Sequence, residues 1–183
     1  MTLRNFILFN PNSPPQRIIE TVKRHNVARN MTNKDGSSGY YYNLGTVGVK
    51  VFKRYQKPLH KAIEQAYMEF KTLVHLQYSR RTPMPYAIRT LKNRAGHNTV
   101  AIFMQHIRGR HPDYCELDKP VFERALTQWE EENEVMWSDV HFENVLYERA
   151  KGRLRKIWFI DLDPEYLIFG DPEVKADIYN ICI

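Results

Sequence analysis

Between Pro58 and Gln77 the apolar residues Leu59, Ile63, Ala66, Phe70 and Leu73 return at helical spacing, joined by Tyr67 and Val74. Such a stripe predicts an amphipathic helix with one face against a core. It constrains the fold strongly because the flanking segments follow a different period. Tyr40-Tyr-Tyr-Asn-Leu44 and Thr46-Val-Gly-Val-Lys-Val-Phe52 lie on either side of Gly45. Aromatic and β-branched residues around a glycine predict a β-hairpin. Thr99 to Ile107 reads as a further strand leading to Arg108-Gly109, and Lys119 to Glu134 as a second helix with Phe122, Ala125, Leu126 and Trp129 inward. Val145-Leu-Tyr147 and Ile157-Trp-Phe-Ile160 read as two strands around a Lys151-Gly152 turn. Strands, helix, strand, helix and hairpin, in that order, describe an α+β chain rather than a bundle or a sandwich.

Ahead of these elements, Pro11-Asn-Ser-Pro-Pro15 is a linker-like break and Gln16 to Asn30 reads as a short basic helix. A turn-rich loop, Asn33-Lys-Asp-Gly-Ser-Ser-Gly39, follows. The 183 residues suit one domain or two lobes sharing a cleft. No apolar run approaches the roughly 20 residues that span a bilayer, and the first ten residues are too short a stretch for a signal peptide. With Cys115 and Cys182 as the only cysteines, neither a disulfide framework nor a four-cysteine zinc site is expected. A cytoplasmic home follows. The net charge of +6 suits a phosphate-handling protein or a nucleic-acid binder, with basic groups at Lys50/Lys53/Arg54, Arg80/Arg81 and Lys151 to Lys156.

The last hairpin bears on chemistry. If residues 145–149 face 156–160, Asn144 and Asp161 stand opposite each other at its open end, with Asp139 in the loop just upstream. Two carboxylates and an amide converging in this way make a hard, oxygen-rich site suited to Mg²⁺. Carboxylates held together repel unless a cation or donor offsets them, so the cluster points to a metal or a catalytic task.

Asp139-Val-His-Phe-Glu-Asn144, followed by a short hairpin and Phe159-Ile-Asp-Leu-Asp163, resembles the catalytic loop and metal-binding motif of the protein-kinase-like superfamily. The resemblance implies a two-lobed fold and a Mg·ATP-dependent phosphotransferase, a minimal serine/threonine protein kinase. Asp139 would orient the attacking hydroxyl, and Asn144 and Asp161 would hold Mg²⁺ against the ATP phosphates. Val47-Gly-Val-Lys-Val-Phe52 resembles the strand of the phosphate-binding lysine, which points at Lys50. The glutamate pairing with it would come from the following helix, as Glu64 or Glu69, with Glu69 fitting the family pattern better. Ile102-Phe-Met-Gln-His-Ile-Arg-Gly109 resembles the hinge, so that backbone groups of Gln105 and Ile107 meet adenine and Met104 lines the pocket. Gly36-Ser-Ser-Gly39 resembles a shortened glycine-rich loop, with Gly36 and Gly39 shaping backbone amides around phosphate.

The lobes are expected at 31–107 and 108–183, behind an N-terminal extension of residues 1–30. Several residues depart from the family pattern. Trp137-Ser138 stands where protein kinases have His-Arg, which removes the usual pairing with a phosphorylated activation loop. Leu162 and Asp163 replace the phenylalanine and glycine of Asp-Phe-Gly, and Asp163 is a further candidate for a metal. Lys175-Ala-Asp-Ile-Tyr-Asn-Ile181 resembles the start of the helix that forms the spine of the lower lobe, so the expected lobe is truncated. This pattern is similar to bacterial type III effector kinases and small phage-encoded kinases. It implies a protein substrate or a host regulatory protein as partner, in a host cytoplasm. A kinase-like pseudoenzyme acting as a protein-binding module is one alternative. A small-molecule kinase is another, since His141 is similar to the Asp-Leu-His of aminoglycoside and choline kinases. The +6 charge leaves nucleic acid as a further partner class.

Overall fold

Gly45 sets the first hairpin. It takes a φ of 86°, its N–H donates to Asn43 Oδ1 (2.8 Å), and Leu44 N–H donates to the Val47 carbonyl (2.8 Å). A left-handed residue in a short turn suits glycine, which lacks the Cβ that would clash there. The computed structural model describes residues 34–35, 39–52, 59–92, 98–112, 119–151 and 153–180. The expected helix Gln16 to Asn30, Gly36 and both cysteines lie outside them. The chain divides into two compact units, one holding the described residues through Phe70 with Pro85–His106, the other Lys71–Met84 with the described residues from Ile107 onward.

The first unit is built on an antiparallel sheet of β1 (Lys34–Asp35), β2 (Gly39–Asn43), β3 (Val47–Phe52), β4 (Pro85–Lys92) and β5 (Asn98–Gln105). The strand order is β1-β2-β3-β5-β4. Alternation along β3 separates two faces. Val47 and Val49 pack with Tyr42, Ala87, Ala101 and Phe103 in one buried cluster. Lys50 lies on the opposite face, in register with Tyr41 on β2 and Ile102 on β5. Helix α1 (Leu59–His75) buries Ile63, Ala66, Phe70 and Leu73, the stripe that predicts it. β4 has no counterpart in the sequence expectations, and the strand expected at Thr99 to Ile107 ends at Gln105.

The second unit contains α2 (Lys119–Asn133), β6 (Val135–Trp137), β7 (Val145–Ala150), β8 (Arg153–Phe159), β9 (Leu167–Phe169) and α3 (Pro172–Tyr179). β6 pairs with β9 and β7 with β8, both antiparallel. Its core centres on Trp129, whose ring lies 4.9 Å from Phe159 and 5.9 Å from Trp137, centroid to centroid. Aromatic rings at such spacings contribute beyond their area of burial. The segment after α1 is tied to this core: Trp129 Nε1 donates to Ser79 Oγ (2.9 Å), Thr82 Oγ1 to the Leu76 carbonyl (2.8 Å), and Phe159 N–H to the Arg81 carbonyl (2.7 Å). α3 begins three residues before the expected Lys175. Asp171 Oδ1 accepts from Glu173 N–H (2.8 Å) and Pro172 occupies the first turn, a start signal legible in retrospect. At the other end Lys71 Nζ donates to the carbonyls of Asp177 and Asn180, a cation satisfying the last turn of the helix. No helix of the described residues is long and apolar enough to cross a membrane.

The β7–β8 register corrects the expected one by a single residue. Val145 faces Phe159 and Glu148 faces Lys156, then Arg149 faces Leu154 and Ala150 faces Arg153. The turn therefore closes on Ala150 and Arg153, with Lys151 at a φ of 51°, and Arg155 is the extra residue of a bulge. A bulge adds one residue to one strand and shifts every pair beyond it. The turn alone would set Asn144 opposite Phe159; the bulge moves the pairing on by one, so Asn144 meets Ile160, whose N–H donates to the Asn144 carbonyl (2.9 Å), and Asp161 lies one residue further on.

Candidate functional site

In the first unit, Lys50 and Glu69 form a bidentate ion pair, Nζ to Oε1 2.9 Å and to Oε2 2.7 Å. Both residues are buried, 9% and 2% exposed. Alternation along β3 turns Lys50 to the face opposite the valine cluster, and the period of α1 puts Glu69 beside the buried Phe70. Of the two glutamates open in the sequence, Glu69 meets Lys50, while Glu64 is half-buried. Lys50 Nζ also lies 5.2 Å from the Phe52 ring centroid. Desolvating two charges costs several kcal/mol per ion, and apolar replacements of a buried pair are often as stable. The pair is therefore better explained by a task than by stability.

Close to Lys50 stands a second constellation that no periodicity of the chain announces. A Cβ on Gly48 would stand 1.9 Å from the hydroxyl oxygen of Tyr41, so the Tyr41 ring lies against the Gly48 backbone. Its hydroxyl is 3.1 Å from His106 Nδ1, and burial pushes its pKa up to about 12. His106 N–H donates to the Thr46 carbonyl (3.0 Å). The available signal was Gly48 itself, since a glycine inside a strand of β-branched residues marks a close approach. Gln105 pairs with Val47 on β5, Met104 is buried, and Gly39 opens β2 opposite Phe52. Ile107 is buried in the second unit.

In the second unit, Asp139 and Asn144 come together through one amide. Asn144 Nδ2 lies 3.0 Å from the Asp139 carbonyl, 3.0 Å from Asp139 Oδ2 and 2.9 Å from His141 Nε2. Asn144 is 4% exposed, and these contacts fix the orientation of its amide. With the amide nitrogen engaged by Asp139 and His141, the amide oxygen is the end left to meet a cation. Asp139 is only half-buried, its side chain 34% exposed, which leaves the carboxylate accessible to solvent. His141 Nε2 lies 3.5 Å from Asp139 Oδ1, so the residue singled out for a small-substrate role braces the loop. A second histidine, missed in the sequence, supports it from outside. His111 Nδ1 reaches the carbonyls of Phe142 (3.3 Å) and Val145 (3.1 Å), both acceptors, which places the proton on that nitrogen. Gly109 permits the approach of this segment to β7, since a Cβ there would meet Leu146 Cβ at 2.9 Å.

Asp161 is exposed and takes a φ of 58°. Asp enters this region more readily than most residues, and Glu134 (52°) and Lys151 (51°) share it. Asp163, the further metal candidate, has a structural partner: its Oδ1 accepts from Glu165 N–H (3.0 Å) and caps the turn Pro164–Tyr166. Ser138 donates through N–H (2.9 Å) and Oγ (3.0 Å) to the Tyr166 carbonyl. A neutral pair thus ties the strand before Asp139 to the segment after Asp163. Among the described residues, no group of three or more His, Cys, Asp or Glu gathers as a metal site. Asn144 and Asp161 carry oxygen donors of the hard kind that Mg²⁺ takes.

The chain matches no protein-family model, and no curated protein matches its sequence.

Proposed function

We propose that this chain is a Mg·ATP-dependent phosphotransferase of the protein-kinase-like kind, with a two-lobed fold and a serine or threonine hydroxyl of a protein as acceptor. The observation that carries the reading is the buried Lys50–Glu69 pair, a charged couple with no stability rationale on the strand and helix where the resemblance asks for it. The held geometry of Asp139 and Asn144 supports it from the other unit. In this reading Glu69 keeps Lys50 extended as a fixed positive charge for phosphate oxygens. Asp139 accepts a hydrogen bond from the acceptor hydroxyl and turns its oxygen toward phosphorus. Asn144, through its amide oxygen, and Asp161 hold Mg²⁺, which supplies charge neutralisation when bound. Positioning and preorganised charge are the main catalytic means available to such a site. The test is transfer of the γ-phosphoryl group from labelled ATP to a protein acceptor or to the chain itself, with wild type beside Asp139→Ala and Asp161→Ala. Label transfer undiminished in both variants would remove this reading.

One observation favours a second reading, a kinase-like module that binds proteins without turning over nucleotide. The Tyr41 ring occupies the sheet face over Gly48 beside His106. A thermal shift with millimolar Mg·ATP separates the two, since a ligand that binds the native state must raise its melting temperature.

A further inference from the structure

Two basic groups lie far apart in the chain, Arg80-Arg81 and Lys151 to Lys156, and in the second unit they meet. Phe159 N–H donates to the Arg81 carbonyl (2.7 Å) and Arg81 Nη1 donates to the Ile157 carbonyl (3.4 Å), so the loop runs alongside β8. In a regular strand Arg155 and Lys156 would point to opposite faces. The bulge at Arg155 turns both toward Glu148. Arg155 Nη1 lies 3.4 Å from Glu148 Oε1, Trp158 Nε1 donates to Glu148 Oε2 (2.9 Å), and Lys156 Nζ sits 3.4 Å from the Trp158 ring centroid. Burial lowers the pKa of Lys156; Glu148 raises it, and Arg81, Arg155 and Arg80 lower it further, which places each of these arginines within electrostatic reach of Lys156. Arg153, exposed on the same strand, extends the row toward the turn. Tyr78, 89% exposed, stands two residues before Arg80.

We propose that the β7–β8 hairpin, with Arg80, Arg81, Arg153, Arg155 and Lys156, and with the exposed Tyr78 two residues before Arg80, binds single-stranded nucleic acid. Like charges gathered on one face repel, and a polyanion relieves that repulsion while releasing its counterions. Guanidinium forks match phosphate oxygens. The exposed tyrosine supplies what a phosphopeptide or a lipid surface does not call for, a flat ring on which a base stacks whatever its identity. The exposed apolar side chains that a membrane would favour, Met136 and Ile168, stand on β6 and β9 and not on this hairpin.

The test is fluorescence anisotropy of the full chain with labelled 20-mers of dT and of U, titrated between about 50 and 200 mM salt, the range over which phosphate contacts weaken markedly. Wild type binds both, more weakly as salt rises. Arg80→Ala/Arg153→Ala/Arg155→Ala lowers affinity roughly tenfold or more and reduces the slope of log K against log salt by about 2, near 0.7 per phosphate contact removed. Tyr78→Ala lowers affinity about tenfold with the slope unchanged, the signature of lost stacking. Circular dichroism melts of both variants coincide with wild type, since the replaced side chains lie at the surface. The proposal is overturned if wild type leaves the anisotropy unchanged at low salt, or if the triple variant binds as tightly as wild type. It is equally overturned if Tyr78→Ala has no effect, or if a multiply phosphorylated peptide, duplex DNA or phosphatidylserine vesicles outcompete the single strands.

Discussion

Lys50–Glu69 and Asp139–Asn144 hold carboxylates by opposite means. The first pair is buried and ionic, on a strand and a helix separated by residues 53–58. The second is half-exposed and held through a neutral amide, within five residues of chain. A buried ion pair depends on both partners, because removing one strands the other charge in a low dielectric. A half-exposed carboxylate keeps contact with water, so its loss removes chemistry and leaves packing intact. Folding and function should therefore be inseparable at the first pair and separable at the second.

Lys50→Ala is expected to have the largest effect, about 3–5 kcal/mol of stability by urea denaturation together with loss of phosphoryl transfer. Lys50→Met combined with Glu69→Leu should recover most of that stability and none of the activity. A single variant as stable as wild type would break the comparison. Asp139→Ala should lower phosphoryl transfer by about 10²–10⁴-fold, the range for a positioned acid–base group, and leave the melting curve in place. A large loss of stability there would make the loop a folding element. His111→Ala, which removes the proton donor to the Phe142 and Val145 carbonyls, should cost about 1 kcal/mol and loosen the loop around Asn144, seen as faster amide exchange at residues 142–145. Tyr41→Phe should lower stability at neutral pH by about 0.5–1.5 kcal/mol, the loss of one hydrogen bond. The folded-state pKa of Tyr41 is raised from 10.0 to about 12, so its contribution is complete below pH 10 and is lost as the pH rises toward 12. That share of alkaline destabilisation should be missing in Tyr41→Phe, and identical alkaline unfolding of the two proteins would remove Tyr41 from the account.

Much of the architecture was legible because it follows from local periods. The stripe Ile63, Ala66, Phe70 and Leu73 is the buried face of α1, and Phe122, Ala125 and Trp129 are the buried face of α2. β4 went unread because its strand, Pro85–Lys92, mixes buried Ala87 and Ile88 with Arg89 and Thr90 and shows no clean alternation. β6 and β9 are three residues each, too short for a period to register. In the candidate site the helical period left Glu64 and Glu69 both open, Glu69 being favoured by the family resemblance alone, while the nearness of Asp139 and Asn144 was legible from spacing. His111 and Tyr41 were not, because each acts through a partner at least 31 residues away.

The sequence by itself determined the longer periods: the apolar stripes of α1 and α2, the strands on either side of Gly45, and the final hairpin that Asp139, Asn144 and Asp161 bracket. Only the tertiary structure decided how those segments register. It placed Lys50 on Glu69, slipped β8 by one residue at Arg155, and brought Arg80 and Arg81 beside the hairpin's basic strand. The reason is physical. Periodicity is a property of neighbours along the chain, whereas a bulge, a buried ion pair and a crossing of loops depend on the free energy of groups that meet only after folding.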